Sequence, residues 1–302
     1  MIAFPSDRPR RLRHRRLWHL RAQRGEQQTQ GVVLLPGLGN SAADYNALAA
    51  SLKERGLIVE TAEVSRLDWA RNAAGLTDVN WWRGTLSPRP TVDWYLKRVH
   101  ASVEAVKQGC GGGPVTLVAH SAGGWLARVY LLGYGTAGIT RLVTLGAPHL
   151  PPPAESRFVD QTRGILTYVS QACPGCHHAE LAYITVAGKW IQGSGLLQRG
   201  ASVLQRVAGA SYQQVCGRAD VWGDFITPVE SAHLEGATQL TLPGVFHTPI
   251  GAVSPTTGQV IKLPRPWYGS PGVLERWIDV AIPDAPRSGP VDAPAQGAQL
   301  SV

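Results

Sequence analysis

The chain has 302 residues, 44% hydrophobic and 17% charged, a globular composition long enough for one large domain or two small ones. No apolar run approaches the roughly 18 residues that a membrane-spanning helix requires. Residues 1–25 hold eight arginines and one acid, Asp7; the rest keeps 21 of the 29 basic residues and 20 of the 21 acids, so the net charge of +8 gives the folded part no field for a nucleic acid.

The leader 1–25 is Arg-rich and almost free of acids. It lacks the apolar core of a secretory signal and fits an organelle transit peptide better, although Ser6 is its only serine. The alternative is a plain solvated basic tail. From residue 26 the pattern is that of a folded domain. "GVVLLPGLGN" (31–40) is an apolar run ending in a Gly/Pro turn, the mark of a buried strand. "SAADYNALAASLKERG" (41–56) predicts a helix capped by Ser41 and stopped by Gly56. "LIVETAEV" (57–64) predicts a second strand, followed by an irregular Trp-rich stretch with Trp69, Trp81 and Trp82.

A helix over 91–107 leads through a Gly-rich turn into the strand "PVTLVAH", and the segment after Ser121 is helical to about Gly133. Three more strands are predicted at 139–148, 181–190 and 238–245, and an amphipathic helix at 272–281. Short apolar strands alternating with helices mean a mostly parallel sheet covered on both faces, here an α/β domain over 26–282 with lid-like insertions near 66–90 and 191–222. The Pro/Gly/Ala-rich stretch 283–302 reads as a disordered tail.

The chemistry centres on "VAHSAGGWLARVY". Ser121 stands at the end of a strand and the start of a helix, among the smallest residues available. That is the context in which a sharp turn exposes a serine oxygen above the sheet. A serine hydroxyl needs a base and an orienting carboxylate before it becomes a nucleophile, and in this architecture they follow in the order Ser, acid, His. His247 in "LPGVFHTPIG" follows the last predicted strand; Asp224 in "DVWGDFITPVE" precedes it by 23 residues, with Asp220 as the alternative acid. His149 in "LGAPHLPPP" is also near a strand end, where it is better suited to lining a loop. The oxyanion of an acyl transition state needs backbone donors: Ala122, after the nucleophile, and Leu38, in the loop after the first core strand. Trp69, Trp81, Trp82, Trp125 and Trp190 are candidates for an apolar substrate pocket or for ordinary packing.

Cys173-Pro174-Gly175-Cys176-His177 has the form of a haem attachment site or a dithiol pair. Haem needs a second axial ligand, and Met1 is the only methionine; zinc would need a second cysteine pair, and the four cysteines provide none. No metal or cofactor is expected. A regulatory dithiol stays open.

Taken together, "LLPGLGNSAADY", "DWARNAAGLTDVNWWRGTLSPRP", "VAHSAGGWLARVY", "LGAPH", "VWGDFITPVE" and "LPGVFHTPIG" resemble the α/β-hydrolase superfamily. More narrowly they resemble its lipase-like, GPI-inositol-deacylase-like branch in plants, algae and cyanobacteria, over most of residues 31–282. The resemblance implies a Ser121–Asp224–His247 triad, Leu38 and Ala122 as oxyanion donors, no cofactor, and a plastid or cyanobacterial setting. A mitochondrial or cytoplasmic address is the alternative. The function implied is hydrolysis of an acyl lipid or other hydrophobic ester, with peripheral membrane contact and no nucleic-acid partner. Acyl transfer and non-catalytic ligand binding on the same scaffold are the competing readings. Three departures stand out: Ala119 for the first elbow glycine, Pro36 where many relatives have histidine, and Phe225 where glycine often follows the acid.

Overall fold

The computed structural model describes residues 29–283 apart from 154, 157, 159, 250, 251, 254–259 and 262–264. The basic leader and residues 284–302 of the C-terminal stretch lie outside the described residues.

The six apolar runs expected as strands all form one sheet. In chain order β1 (Gly31–Leu35), β2 (Ile58–Thr61), β3 (Val115–His120), β4 (Ile139–Leu145) and β5 (Ala182–Lys189) precede a short antiparallel pair, β6 (Ile191–Gln192) and β7 (Trp222–Gly223). The last sheet strand is β8 (Thr238–Pro243), and the order across the sheet is β2-β1-β3-β4-β5-β8, every neighbouring pair parallel. Side chains alternate between two cores, Val33, Leu35, Leu117 and Ala119 on one face and Val32, Leu34 and Val118 on the other. Burial on both faces is why β1 reads as an unbroken apolar run.

Helices cover both faces. One core takes α1 (Asn46–Glu54) through Leu48 and Leu52, together with C-terminal residues such as Trp277 and Ile278. The other takes α3 (Asp93–Gly109) and α4 (Ala122–Tyr134), with α2 (Val79–Arg83) and α5 (Ile165–Ala172) beside them. The insertion after β6 carries α6 (Val203–Cys216), capped by Ser202, and the short α7 (Val229–Ala232) precedes β8. The single helix expected at 272–281 is instead a 3-10 turn, Leu274–Arg276, and one α turn, α8 (Ile278–Ala281). Trp277 breaks it: its backbone sits at φ −131°, outside the helical region, while its buried indole donates to the Tyr268 carbonyl at 2.9 Å.

This strand order fixes where a site can form. The chain leaves β1 for the edge at β2 and returns on β1's other side as β3, so the loops after β1 and β3 diverge and leave a crevice between them. The register places Leu35 beside Ala119, which brings residues 36–38 next to residues 120–122.

Candidate active site

Ser121 occupies the N-cap of α4 with φ 52° and ψ −128°, a conformation that L side chains rarely adopt and that costs on the order of 1–3 kcal/mol. Its neighbours are small because the turn leaves no room. A Cβ on Gly123 would come within 2.5 Å of the Leu35 carbonyl oxygen, and one on Gly124 within 2.3 Å of the Ala147 Cβ. Across the crevice, a Cβ on Gly37 would lie 2.7 Å from that of Ser121. Ala119 sits fully buried in the strand, and the turn forms without the usual first glycine.

The three residues singled out for acyl chemistry lie in one hydrogen-bonded line. Ser121 Oγ is 2.9 Å from His247 Nε2, and His247 Nδ1 is 2.7 Å from Asp224 Oδ2. Asp224 is fully buried, and its carboxylate bonds only donors. Oδ2 also accepts from the Tyr268 hydroxyl at 2.7 Å; Oδ1 accepts from the backbone N–H groups of Ile226 at 3.0 Å and Thr227 at 2.7 Å. A buried carboxylate held this way is compensated without a cation. Asp220 is exposed on the surface near Arg218 and does not touch His247.

Phe225, which follows the acid where relatives often have glycine, takes the conformation glycine would take, at φ 96°. Its N–H donates to the Tyr212 hydroxyl at 3.0 Å, and its ring packs against Trp190 and Phe246, with centroids 5.7 and 5.4 Å away. Aromatic packing offsets the backbone strain, so the acid loop turns sharply despite the side chain.

The loop after β1 is held on three sides. The Tyr95 hydroxyl donates to the Pro36 carbonyl at 2.8 Å, the Gly37 N–H to the Tyr45 hydroxyl at 3.0 Å, and the Trp69 indole to the Asn40 carbonyl at 2.8 Å. Arg98 pairs with both oxygens of Asp68, tying the 66–77 excursion and its Trp69 to α3. The guanidinium holds the Asp68 carboxyl well below its ordinary range. Among the described residues the Leu38 N–H has no acceptor, and Ala122 is the first residue of α4, whose N–H has no intrahelical partner. Both expected oxyanion donors border the same cavity as Ser121.

A cavity of about 360 Å³ opens from Ser121, Ala122 and Leu38. Trp69, Trp81 and Trp125 line it, with Val92, Ile165 and Leu166. Two of the expected tryptophans do not. Trp82 is exposed and donates to the Leu76 carbonyl, because neighbours on a helix point about 100° apart and Trp81 takes the inward side of α2. Trp190 packs edge-to-face against Phe225 and Phe246, under the Arg265 guanidinium. His149 is fully buried, bonds Thr144 Oγ1 at 3.1 Å, and takes no part in the line through Ser121. Burial, then Arg128, pushes its pKa down to about 3. Cys173 and Cys176 are free thiols, their pKa values raised chiefly by burial. Among the described residues no three His, Cys, Asp or Glu side chains group in a way that could hold a metal ion.

Tyr268 has no signal in the sequence, yet it joins the acid to the sheet: its hydroxyl donates to Asp224 and accepts the Gly188 N–H at 2.8 Å. Tyr268→Phe is expected to cost about 1.5–3 kcal/mol of stability, the scale of a lost hydrogen bond to a charged group, and less than about tenfold in kcat. Denaturant melts and steady-state kinetics on the variant check both numbers.

No protein-family model and no curated protein matches the sequence. Solved structures do. A metagenomic carboxyl esterase is 14% identical, with 86% of this chain and 77% of that one covered at a TM-score of 0.56. The lipase BlEst2 of Bacillus licheniformis, in its mature form, is 19% identical over 74% of this chain and 86% of that one, at a TM-score of 0.47. The poly(3-hydroxybutyrate) depolymerase LpqC of Bordetella parapertussis is 19% identical over 74% and 75%, at a TM-score of 0.42. At 14% identity the carboxyl esterase speaks to architecture alone, and on that level it agrees with the parallel six-stranded sheet and its flanking helices: the chain has the α/β-hydrolase fold.

Proposed function

We propose that this protein is a serine ester hydrolase acting on a hydrophobic acyl ester. The observation that carries the reading is the line Ser121 Oγ–His247 Nε2–Asp224 at the mouth of a tryptophan-lined cavity. In this reading His247 Nε2 takes the hydroxyl proton as Ser121 attacks the ester carbonyl. The oxyanion forms between the N–H groups of Leu38 and Ala122, and the imidazolium returns the proton to the leaving alkoxide. Water then attacks the acyl-enzyme by the same steps in reverse. Asp224 keeps the His247 proton on Nδ1, so that Nε2 presents a lone pair to the serine.

The substrate class rests on the lining and the rim. Leu38, Leu150 and Ile226 line the cavity and are also 61%, 53% and 38% exposed, which supports entry of an apolar chain and peripheral contact with a lipid surface. The test is a panel of esters of rising acyl length. If the chain enters the cavity, kcat/KM should climb by up to about fourfold per methylene, the equivalent of about 0.8 kcal/mol, until the cavity is full. A flat profile contradicts a hydrophobic acyl substrate. An added alcohol that captures most of the acyl group would reassign the reaction to acyl transfer.

A further inference from the structure

His120, the residue before Ser121, is 1% exposed and bonded at both ring nitrogens. Its Nε2 lies 2.8 Å from the backbone carbonyl oxygen of His247, and its Nδ1 lies 2.7 Å from the Tyr45 hydroxyl. A carbonyl oxygen only accepts, so Nε2 carries the proton. Burial, and then the His247 ring with its centroid 4.9 Å away, pushes the His120 pKa down to about 3. The ring is neutral, and Nδ1 accepts from the Tyr45 hydroxyl. The Tyr45 oxygen in turn accepts the Gly37 N–H at 3.0 Å.

Every proton position along this chain is therefore determined. It runs from the Gly37 N–H through Tyr45 and His120 to the His247 carbonyl, and so joins the loop after β1 to the loop after β8. The first loop carries the Leu38 donor and the second carries the base. No step of the acyl transfer uses His120 or Tyr45; neither lines the cavity, and neither hydrogen-bonds Ser121 Oγ or the ring nitrogens of His247.

We propose that His120 is a positioning residue which, with Tyr45, locks the His247 backbone and the Gly37–Leu38 peptide into one unit, so that base and oxyanion donor keep their spacing about Ser121. The inference rests on the serine-hydrolase reading. Displacements of about 1 Å at such sites can cost on the order of a hundredfold in rate, which sets the scale of the effect.

Three variants test it: His120→Leu, His120→Gln and Tyr45→Phe. Glutamine places an amide N–H where Nε2 stands and restores the bond to His247; leucine restores nothing; phenylalanine keeps the ring of Tyr45 and removes the hydroxyl. The readouts are kcat and KM on a short soluble ester, the rate of fluorophosphonate labelling at Ser121, and a thermal melt. His120→Leu is expected to lose about 10–100-fold in kcat and in labelling rate with KM within about twofold, while His120→Gln recovers most of the loss. Tyr45→Phe should lose about tenfold in kcat with KM unchanged.

A purely structural role would lower the melting temperature of His120→Leu and leave kcat of the folded enzyme intact; that result overturns the proposal, as does a His120→Gln variant no faster than His120→Leu. If His120→Leu does not fold, His120→Gln and Tyr45→Phe decide: near-normal kcat in the first with a tenfold loss in the second supports it, and any other pairing overturns it. A wild-type chain that neither labels nor hydrolyses ester overturns the hydrolase reading and this inference with it. Normal wild-type behaviour with unresponsive variants overturns this inference alone.

Discussion

Asp224→Asn is expected to lower kcat by roughly 10³–10⁴, whereas Asp220→Asn should cost less than about tenfold. The reason is the set of donors around the buried carboxylate. Ile226 and Thr227 direct backbone N–H groups at Oδ1; the Tyr268 hydroxyl and His247 Nδ1 both lie at 2.7 Å from Oδ2. An asparagine must turn its NH₂ toward one side or the other. The two backbone donors cannot adapt, so the amide carbonyl stays with them and the NH₂ faces His247. The imidazole answers by moving its proton to Nε2, and a protonated Nε2 cannot take the proton of Ser121. The fold should survive, because the amide fills the same volume, and a cooperative melt checks this. Asp220 is solvent-exposed and bonds none of these groups, so its replacement leaves the line intact. A crippling Asp220→Asn would force reassignment of the acid.

Ser121→Ala is expected to reduce ester turnover by 10⁴ or more, into the background left by binding and the oxyanion donors. Ser121 Oγ bonds only His247 Nε2 among the described residues, so removing it deletes the nucleophile and one hydrogen bond to the buried imidazole. The backbone at φ 52° stays as it is, with the same small neighbours packed around it. Stability should therefore fall by only about 1 kcal/mol, the net scale of one lost hydrogen bond. KM should move little, because the cavity walls are other residues.

The centre of the sheet was legible because β1 and β3 are buried on both faces. A continuous apolar run such as Val32–Leu35 or Val115–Ala119 needs no long-range information to be seen. The elbow was legible for a local reason too: a strand feeding a helix through Ser121 leaves no room for side chains at 123 and 124. Asp220 and Asp224 stand in one short stretch, "DVWGDFITPVE", and only the three-dimensional contact of Asp224 with His247, 23 residues on, separates them. The supporting hydroxyls were hidden altogether. Tyr45 meets His120 across 75 residues and Tyr268 meets Asp224 across 44, and neither tyrosine carries a local pattern that marks it. Trp81 and Trp82 are equivalent in a stretch with no visible period, and only the helical phase of α2 gives Trp81 the inward side. Helix α6 has no clear apolar period in the sequence, because Val203, Leu204 and Val207 are exposed while Gly209 is buried against the Ser194 backbone.

The central claim is that Ser121 is an activated nucleophile, and fluorophosphonate labelling with mapping of the modified residue by mass spectrometry tests it most directly. The full-length protein is expected to take up one label, on Ser121, and Ser121→Ala to take up none while keeping its cooperative melt. A wild-type chain that stays unlabelled, or a label that survives Ser121→Ala or maps to another residue, would contradict the account.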